Sequence, residues 1–214
     1  MNAYISNLNY KSSKLLLVLF SALVFCNSVK ADELSELPTG TYNVDLSHAS
    51  VVWKVSHLGL STYVGRFIDF DASLSLDTED FTKSSVDVNI KVDSIDTAYP
   101  WPEKEDFDKK LATDWFNSAE HPIINFTSTS VAELSDNKST VTGDLTFNGV
   151  TKPVTLDITL NNAMKQHPFI KKPVIGFSGS TKIDRTEWGV SKYAPNIGAE
   201  VIIELEGEFI QAGE

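Results

Sequence analysis

The chain has 214 residues, with 18 basic against 29 acidic side chains and a formal net charge of −11. That balance argues against sequence-independent nucleic-acid binding, which rests on neutralising phosphates with lysine and arginine, and against tight binding to anionic membrane surfaces. The single cysteine, Cys26, offers no intrachain disulfide, so stability must come from a buried core, which a chain of this length can build within one domain.

At the N-terminus, Lys11 and Lys14 precede an apolar run over residues 15–25, and Val29-Lys30-Ala31 supplies a small-residue cleavage pattern before Asp32. This is the layout of a cleaved secretory signal. It predicts removal of residues 1–31, export to the periplasm and a mature domain over residues 32–214. The run is roughly half the length of about 20 residues that a membrane span needs, which disfavours a retained anchor. Phe25, where a small residue would be wanted, disfavours a lipidated Cys26. Cleavage removes Lys11, Lys14 and Lys30 and no acid, so 18 basic residues become 15 against 29 acidic, a net charge of −14. Residues 32–38 read as a short polar leader.

From Thr41 onward the chain alternates apolar and polar residues with period two, the signature of strands with one buried face. Val86, Val88, Ile90 and Val92 alternate with Ser85, Asp87, Asn89 and Lys91. Val141, Gly143, Leu145 and Phe147 lead into Asn148-Gly149, a type I′ hairpin signal, and Val154, Leu156, Ile158 and Leu160 follow. Near the C-terminus Val201, Ile203, Leu205, Gly207 and Phe209 share one face, while Glu200, Glu204, Glu206 and Glu208 share the other. Segments 64–76, 85–95, 138–148 and 173–184 are longer than the usual strand of about five or six residues. Long antiparallel strands that must hide their edges suit a closed barrel better than a sandwich. Phe67 lies on the opposite parity to Phe70, Ala72, Leu74 and Leu76, so a bulge is expected between them. Gly143, Gly179 and Gly207 fall at inward positions, either to let strands bend or to leave room for a ligand. One helix is predicted over 103–116, with Phe107, Leu111 and Trp115 on one apolar face, as a seal or a lid on one barrel mouth.

The usual catalytic patterns are missing: no Gly-x-Ser-x-Gly elbow, no phosphate loop, no His-Glu-x-x-His pair and no cysteine-based metal motif. No cofactor and no metal site are expected, and His48, His57, His121 and His167 are each expected to make one hydrogen bond at a turn. The only arginines are Arg66 and Arg185, for each of which an ion pair or contact with a ligand headgroup is open. Lys165, His167, Lys171 and Lys172 form a small basic loop, read as a solvated hairpin tip or a docking point.

Several segments, in order, resemble the YceI-like family. They are Asp45-Leu46-Ser47-His48, Val55-Ser56-His57-Leu58-Gly59 and Val64-Gly65-Arg66-Phe67, then Asp93-Ser94-Ile95-Asp96-Thr97 and His121-Pro122-Ile123-Ile124-Asn125-Phe126. Leu111 to Phe116, Val141-Thr142-Gly143-Asp144-Leu145-Thr146, Asn148-Gly149-Val150-Thr151-Lys152-Pro153-Val154, Ile183-Asp184-Arg185 with Trp188-Gly189-Val190, and Gly198-Ala199-Glu200-Val201 complete the set. The resemblance implies an all-β, eight-stranded antiparallel lipocalin-like β-barrel with one short inserted helix. It also implies a periplasmic carrier for a polyisoprenoid or other long-chain amphiphile, with a homodimer and a b561-type membrane cytochrome as possible partners. Residues 98–102, Ala-Tyr-Pro-Trp-Pro, are richer in proline and aromatics than the family pattern.

Combining the alternation with that fold, the ligand is expected against Trp53, Val55, Phe67, Phe70, Val88 and Ile90 from the first half of the barrel. Phe126, Leu145, Phe147, Phe177 and Phe209 are expected from the second half, with Arg66 and Arg185 near the headgroup. The alternatives are a barrel filled by its own side chains that serves as an interaction module for a membrane redox partner, and a cyclase or isomerase with acid–base groups among His57, Asp144 and Glu187.

Overall fold

A computed structural model describes residues 31–213; the signal-peptide reading falls, apart from Ala31, outside the described residues. Ten strand segments follow in order: β1 (Gly40–His57), β2 (Ser61–Phe67), β3 (Phe70–Leu76), β4 (Ser85–Lys91) and β5 (Ile95–Asp96) make up the first half. The second half is β6 (Ile123–Val131), β7 (Lys138–Phe147), β8 (Val150–Met164), β9 (Val174–Asp184) and β10 (Ile197–Gln211). Four of the segments are the halves of two broken strands, β2 with β3 and β4 with β5. β3 pairs with the beginning of β1, where Tyr42 faces Leu74, and β2 pairs with its end, where Val51 faces Phe67. β4 and β5 likewise run along β3 and β2 in turn. The sheet then passes antiparallel through β6, β7, β8, β9 and β10, and β10 returns to β1, with Val51 opposite Leu205 and Trp53 opposite Ile203. The result is an eight-stranded, closed, antiparallel barrel. Closure leaves no long edge to template aggregation.

The break at Ile68 and Asp69 is the expected irregularity, and it turns both Phe67 and Phe70 towards the interior. The break between β4 and β5 is a single 3₁₀ turn, Val92–Ser94, in which Val92 is fully buried. Gly143 has a more specific role than bending. A Cβ there would lie 2.5 Å from both the Phe126 ring and the Thr127 carbonyl oxygen, so close packing of Phe126 requires the glycine. Gly179 and Gly207 do border an inner cavity.

One end of the barrel is plugged. Residues 32–38 are not a polar leader: a short helix, α1 (Ala31–Leu34), and the turn after it insert Leu34 and Leu37 beside Leu76, Leu160 and Ile175. Tyr42 is fully buried in this plug and donates its hydroxyl to the Pro38 carbonyl at 2.7 Å; burial pushes the phenol up to about 12. Sequence polarity misled because two leucines in seven residues are enough to close so narrow an opening.

The helix expected over 103–116 is shorter. Asp106 caps it by accepting from the Lys109 amide at 3.1 Å, so α2 (Phe107–Lys110) begins only there. A π-helical turn (Leu111–Trp115) continues it, with the Phe116 amide bonded to the Leu111 carbonyl. The wider turn keeps Phe107, Leu111 and Trp115 all facing the barrel interior. Such turns recur at functional sites.

Candidate ligand-binding site

The barrel is not filled by its own side chains. Behind the open end lies a cavity of about 970 Å³, and below it, towards the plug, a smaller one of about 130 Å³. Inward-facing residues of the alternating strands build the wall. Trp53 and Val55 of β1, Phe67 of β2, and Val88 and Ile90 of β4 border the main cavity, as do Phe126, Leu145 and Phe147 across the barrel. Phe70, Phe177 and Phe209 border the lower one instead. Val51, Val88, Leu156 and Leu205 border both and form the waist between them. Trp53 can lie flat against the wall because residue 65 is glycine; a Cβ there would sit 2.2 Å from the indole.

The mouth was not legible as strand alternation. It is made by the turn after β1, the loop 97–106 with α2, and the loop 189–196. Tyr99 stacks on Phe107 at 5.2 Å and meets Trp101 edge-on at 5.9 Å. Trp115 packs on Tyr193 at 5.5 Å, and Phe116 packs edge-on against Phe147 at 5.3 Å. Two signals pointed to it: the apolar face of Phe107, Leu111 and Trp115, expected at one barrel mouth, and the unusual composition of residues 98–102; Tyr193 and the packing of the ring had none. Two indole N–H groups of the wall, Nε1 of Trp53 and of Trp115, are buried without a hydrogen-bond partner, which is uncommon for so strong a donor.

The two arginines part company. Arg66 lies on the outside of the barrel, 60% exposed, with Nε and Nη2 at 2.8 and 2.6 Å from Oδ2 of Asp96. It does not border the cavity. Asp96 is held below the usual carboxylate range by the Ala98 amide and by this arginine. Arg185 borders the cavity but is 6% exposed, and none of the ion pairs among the described residues includes it. Instead Nε donates to the Gly198 carbonyl at 2.8 Å, Nη2 to those of Ile197 at 2.8 Å and Lys192 at 3.2 Å, and Nη1 to that of Val190. Burial lowers its basicity. Four of its five N–H groups are thus spent on the loop, and the headgroup role expected for it shrinks to one remaining N–H.

No acid–base constellation assembles from the residues considered for catalysis. His57 is at the mouth, whereas Asp144 is exposed on the outer face of β7. Glu187 lies on the outside, 3.2 Å from Lys152 Nζ.

A separate polar cluster sits on the outer surface where β1 bulges opposite β10. Asp45 accepts from the Ser47 hydroxyl at 2.6 Å and lies 2.9 Å from His48 Nδ1, which is 3.9 Å from Glu208. The Ser47 hydroxyl and then His48 hold the Asp45 carboxyl down at about 2, and Asp45 with Glu208 raises His48. A lowered carboxyl contributes stability above its unfolded value of about 3.9, lost as pH falls through about 2; a raised imidazole contributes below its unfolded value of about 6.5, lost as pH rises. The cluster therefore stabilises most between about pH 4 and 6.5. In urea unfolding across pH, Asp45→Asn is expected to flatten both limbs relative to wild type; an unchanged difference at pH 2.5, 5 and 8 would contradict it.

A closed antiparallel barrel, plugged at one end and carrying a large apolar cavity open at the other, is the architecture of a lipocalin-like binding protein. Residues 42–209 match the YceI-like domain, and the chain belongs to that family. A UPF0312 protein of Shewanella denitrificans is 38% identical over 167 residues, 77% of this chain and 83% of that protein. Another, from Pseudomonas putida, is 37% identical over 152 residues, 70% of this chain and 76% of its own. Among solved structures, Burkholderia cenocepacia BcnA is similar with a TM-score of 0.67 and 25% identity, over 77% of this chain and 98% of BcnA. A polyisoprenoid binding domain from Saccharophagus degradans shares the fold at a TM-score of 0.59, over 82% of this chain and all of that one; at 11% identity the likeness is of fold alone.

Proposed function

We propose that the protein is a periplasmic carrier that holds a polyisoprenoid, or a similar long amphiphilic lipid, inside the barrel. The observation that carries this reading is the cavity of about 970 Å³ walled by aromatic and aliphatic side chains. Its volume is at the upper end of the range of about 300–1,000 Å³ typical of ligand pockets. An engineered aliphatic cavity of about 150 Å³ holds one benzene, so the same measure gives this cavity room for about 40 carbons. The ligand class follows the family resemblance, and the domain from Saccharophagus degradans that shares this fold is described as polyisoprenoid binding. The N-terminal basic and apolar pattern supports export. A homodimer and a b561-type membrane cytochrome as partner belong to the same proposal through the family resemblance.

Apolar burial contributes about 0.8 kcal/mol per CH₂, so a chain of about 40 carbons gains about 30 kcal/mol gross relative to water. Non-covalent affinities saturate well below that, near about 20 kcal/mol. Water is therefore the wrong reference: the lipid leaves a bilayer about as apolar as the barrel, and exchange between the two is nearly balanced. Fit along the wall then sets selectivity, and a head near the mouth meets Trp115, Tyr193 and the unpaired indole donors. Native mass spectrometry of periplasmic protein purified without detergent, followed by organic extraction, tests the reading. One prenyl or acyl compound per chain is expected. An empty barrel that also refuses added isoprenoid quinones would overturn it.

A further inference from the structure

We propose that the rim of the cavity mouth is a docking surface for a lipid bilayer, through which the cargo enters and leaves without crossing water. The inference rests on the carrier reading above. Each methylene exposed to water lowers aqueous solubility about fourfold, so a long isoprenoid cannot travel between membrane and barrel as a free molecule. The mouth must touch the bilayer, and its surface is made for that contact.

Residues 57–65, at the turn after β1, carry no Asp, Glu, Lys or Arg, in a chain of net charge −11. At the tip, Leu58 is 53% exposed and Leu60 is 83% exposed. The tip is held in place: the Leu60 amide bonds to the His57 carbonyl at 2.9 Å, and the Leu58 amide to the Asn196 carbonyl at 2.8 Å. That second bond ties it to the loop carrying Tyr193. Trp101 and Tyr193 complete the rim, at 50% and 61% exposed. Leu58, Trp101 and Tyr193 also border the cavity, so these side chains belong at once to its wall and to the exposed rim. Lys104 lies 4.8 Å over the Trp101 ring and Lys192 5.8 Å from the Tyr193 ring. Tryptophan and tyrosine favour the level of lipid headgroups, and lysines beside them extend to the phosphates.

Charge decides which bilayer. Glu103 and Glu105 stand near Lys104, and the whole chain is acidic, so contact is driven by apolar insertion and not by anionic lipid. A zwitterionic surface fits best. The rival surface is the loop after β8, where Phe169 is 85% exposed beside Lys171 and Lys172. It lies at the end plugged by Leu34 and Leu37, away from the mouth.

The test uses the lipid-free mature protein and phosphatidylcholine vesicles loaded with an isoprenoid quinone. Uptake by wild type is expected to rise in proportion to vesicle concentration. Leu60→Asp, whose side chain does not border the cavity, is expected to slow uptake about tenfold, while occupancy after loading from detergent stays at wild-type level. Phe169→Asp is expected to match wild type. Three results would overturn docking at the mouth: normal uptake by Leu60→Asp, slowing by Phe169→Asp instead, or a wild-type rate indifferent to vesicle concentration, which would point to aqueous exchange or a protein donor. Failure of wild type to load even from detergent would overturn the carrier reading itself.

Discussion

Arg185→Ala is expected to lower the melting temperature by about 10 °C, more than any single change at the exposed ion pairs. The guanidinium is buried and donates to four main-chain carbonyls, those of Val190, Lys192, Ile197 and Gly198. Truncation removes four charge-assisted bonds and leaves their carbonyls without that partner, at about 1–3 kcal/mol for each one that water does not reach and about 3–5 kcal/mol together. In a domain of this size each kcal/mol moves the midpoint by about 2–4 °C. The surrounding turn, Arg185–Trp188, is pinned on its other side by Trp188 Nε1 on the Leu145 carbonyl and by Asn148 on the Trp188 carbonyl, so disruption spreads from loop to barrel. Arg185→Lys should recover only part of the loss, because one ammonium cannot reach carbonyls arranged for a planar fork. Thermal unfolding followed by circular dichroism measures this. A variant that melts like wild type but loses its lipid would instead make Arg185 a headgroup anchor.

Phe147→Asp is expected to abolish lipid retention. Phe147 is 8% exposed, packs edge-on against Phe116 and borders the main cavity near the mouth. A carboxylate at that position keeps its water only while the cavity is wet, and an entering lipid chain must strip it. The effective penalty for desolvating an ion is several kcal/mol, which corresponds to about a hundredfold or more in affinity. Phe147→Leu separates this effect from folding: it keeps the wall apolar and is expected to retain lipid near one per chain. Native mass spectrometry of both variants, on protein shown by circular dichroism to be folded, decides the matter. Lipid retained by a folded Phe147→Asp protein would place the ligand elsewhere.

Much of the wall was legible because a strand's side chains alternate with period two whatever surrounds them. Trp53, Val55, Val88, Ile90, Leu145 and Phe147 follow from parity alone once one face is known to be inside. The same parity exposed the irregularity between Phe67 and Phe70. It could not say that Phe70, Phe177 and Phe209 would border a lower chamber, since depth along the barrel depends on strand tilt and stagger. Helix length was overestimated because the period of Phe107, Leu111 and Trp115 says nothing about where capping by Asp106 begins the helix.

Local periodicity and turn chemistry were thus enough to read the all-β class, the inward faces of the long alternating strands and the antiparallel hairpin at Asn148-Gly149. The plug made by Leu34 and Leu37, the carbonyl cage around Arg185, the outward pairing of Arg66 with Asp96, and the closing of the aromatic mouth by Tyr193 emerge from the folded barrel. Each of those joins segments distant along the chain or lying in loops, where no period constrains direction and closure of the barrel alone selects the neighbours.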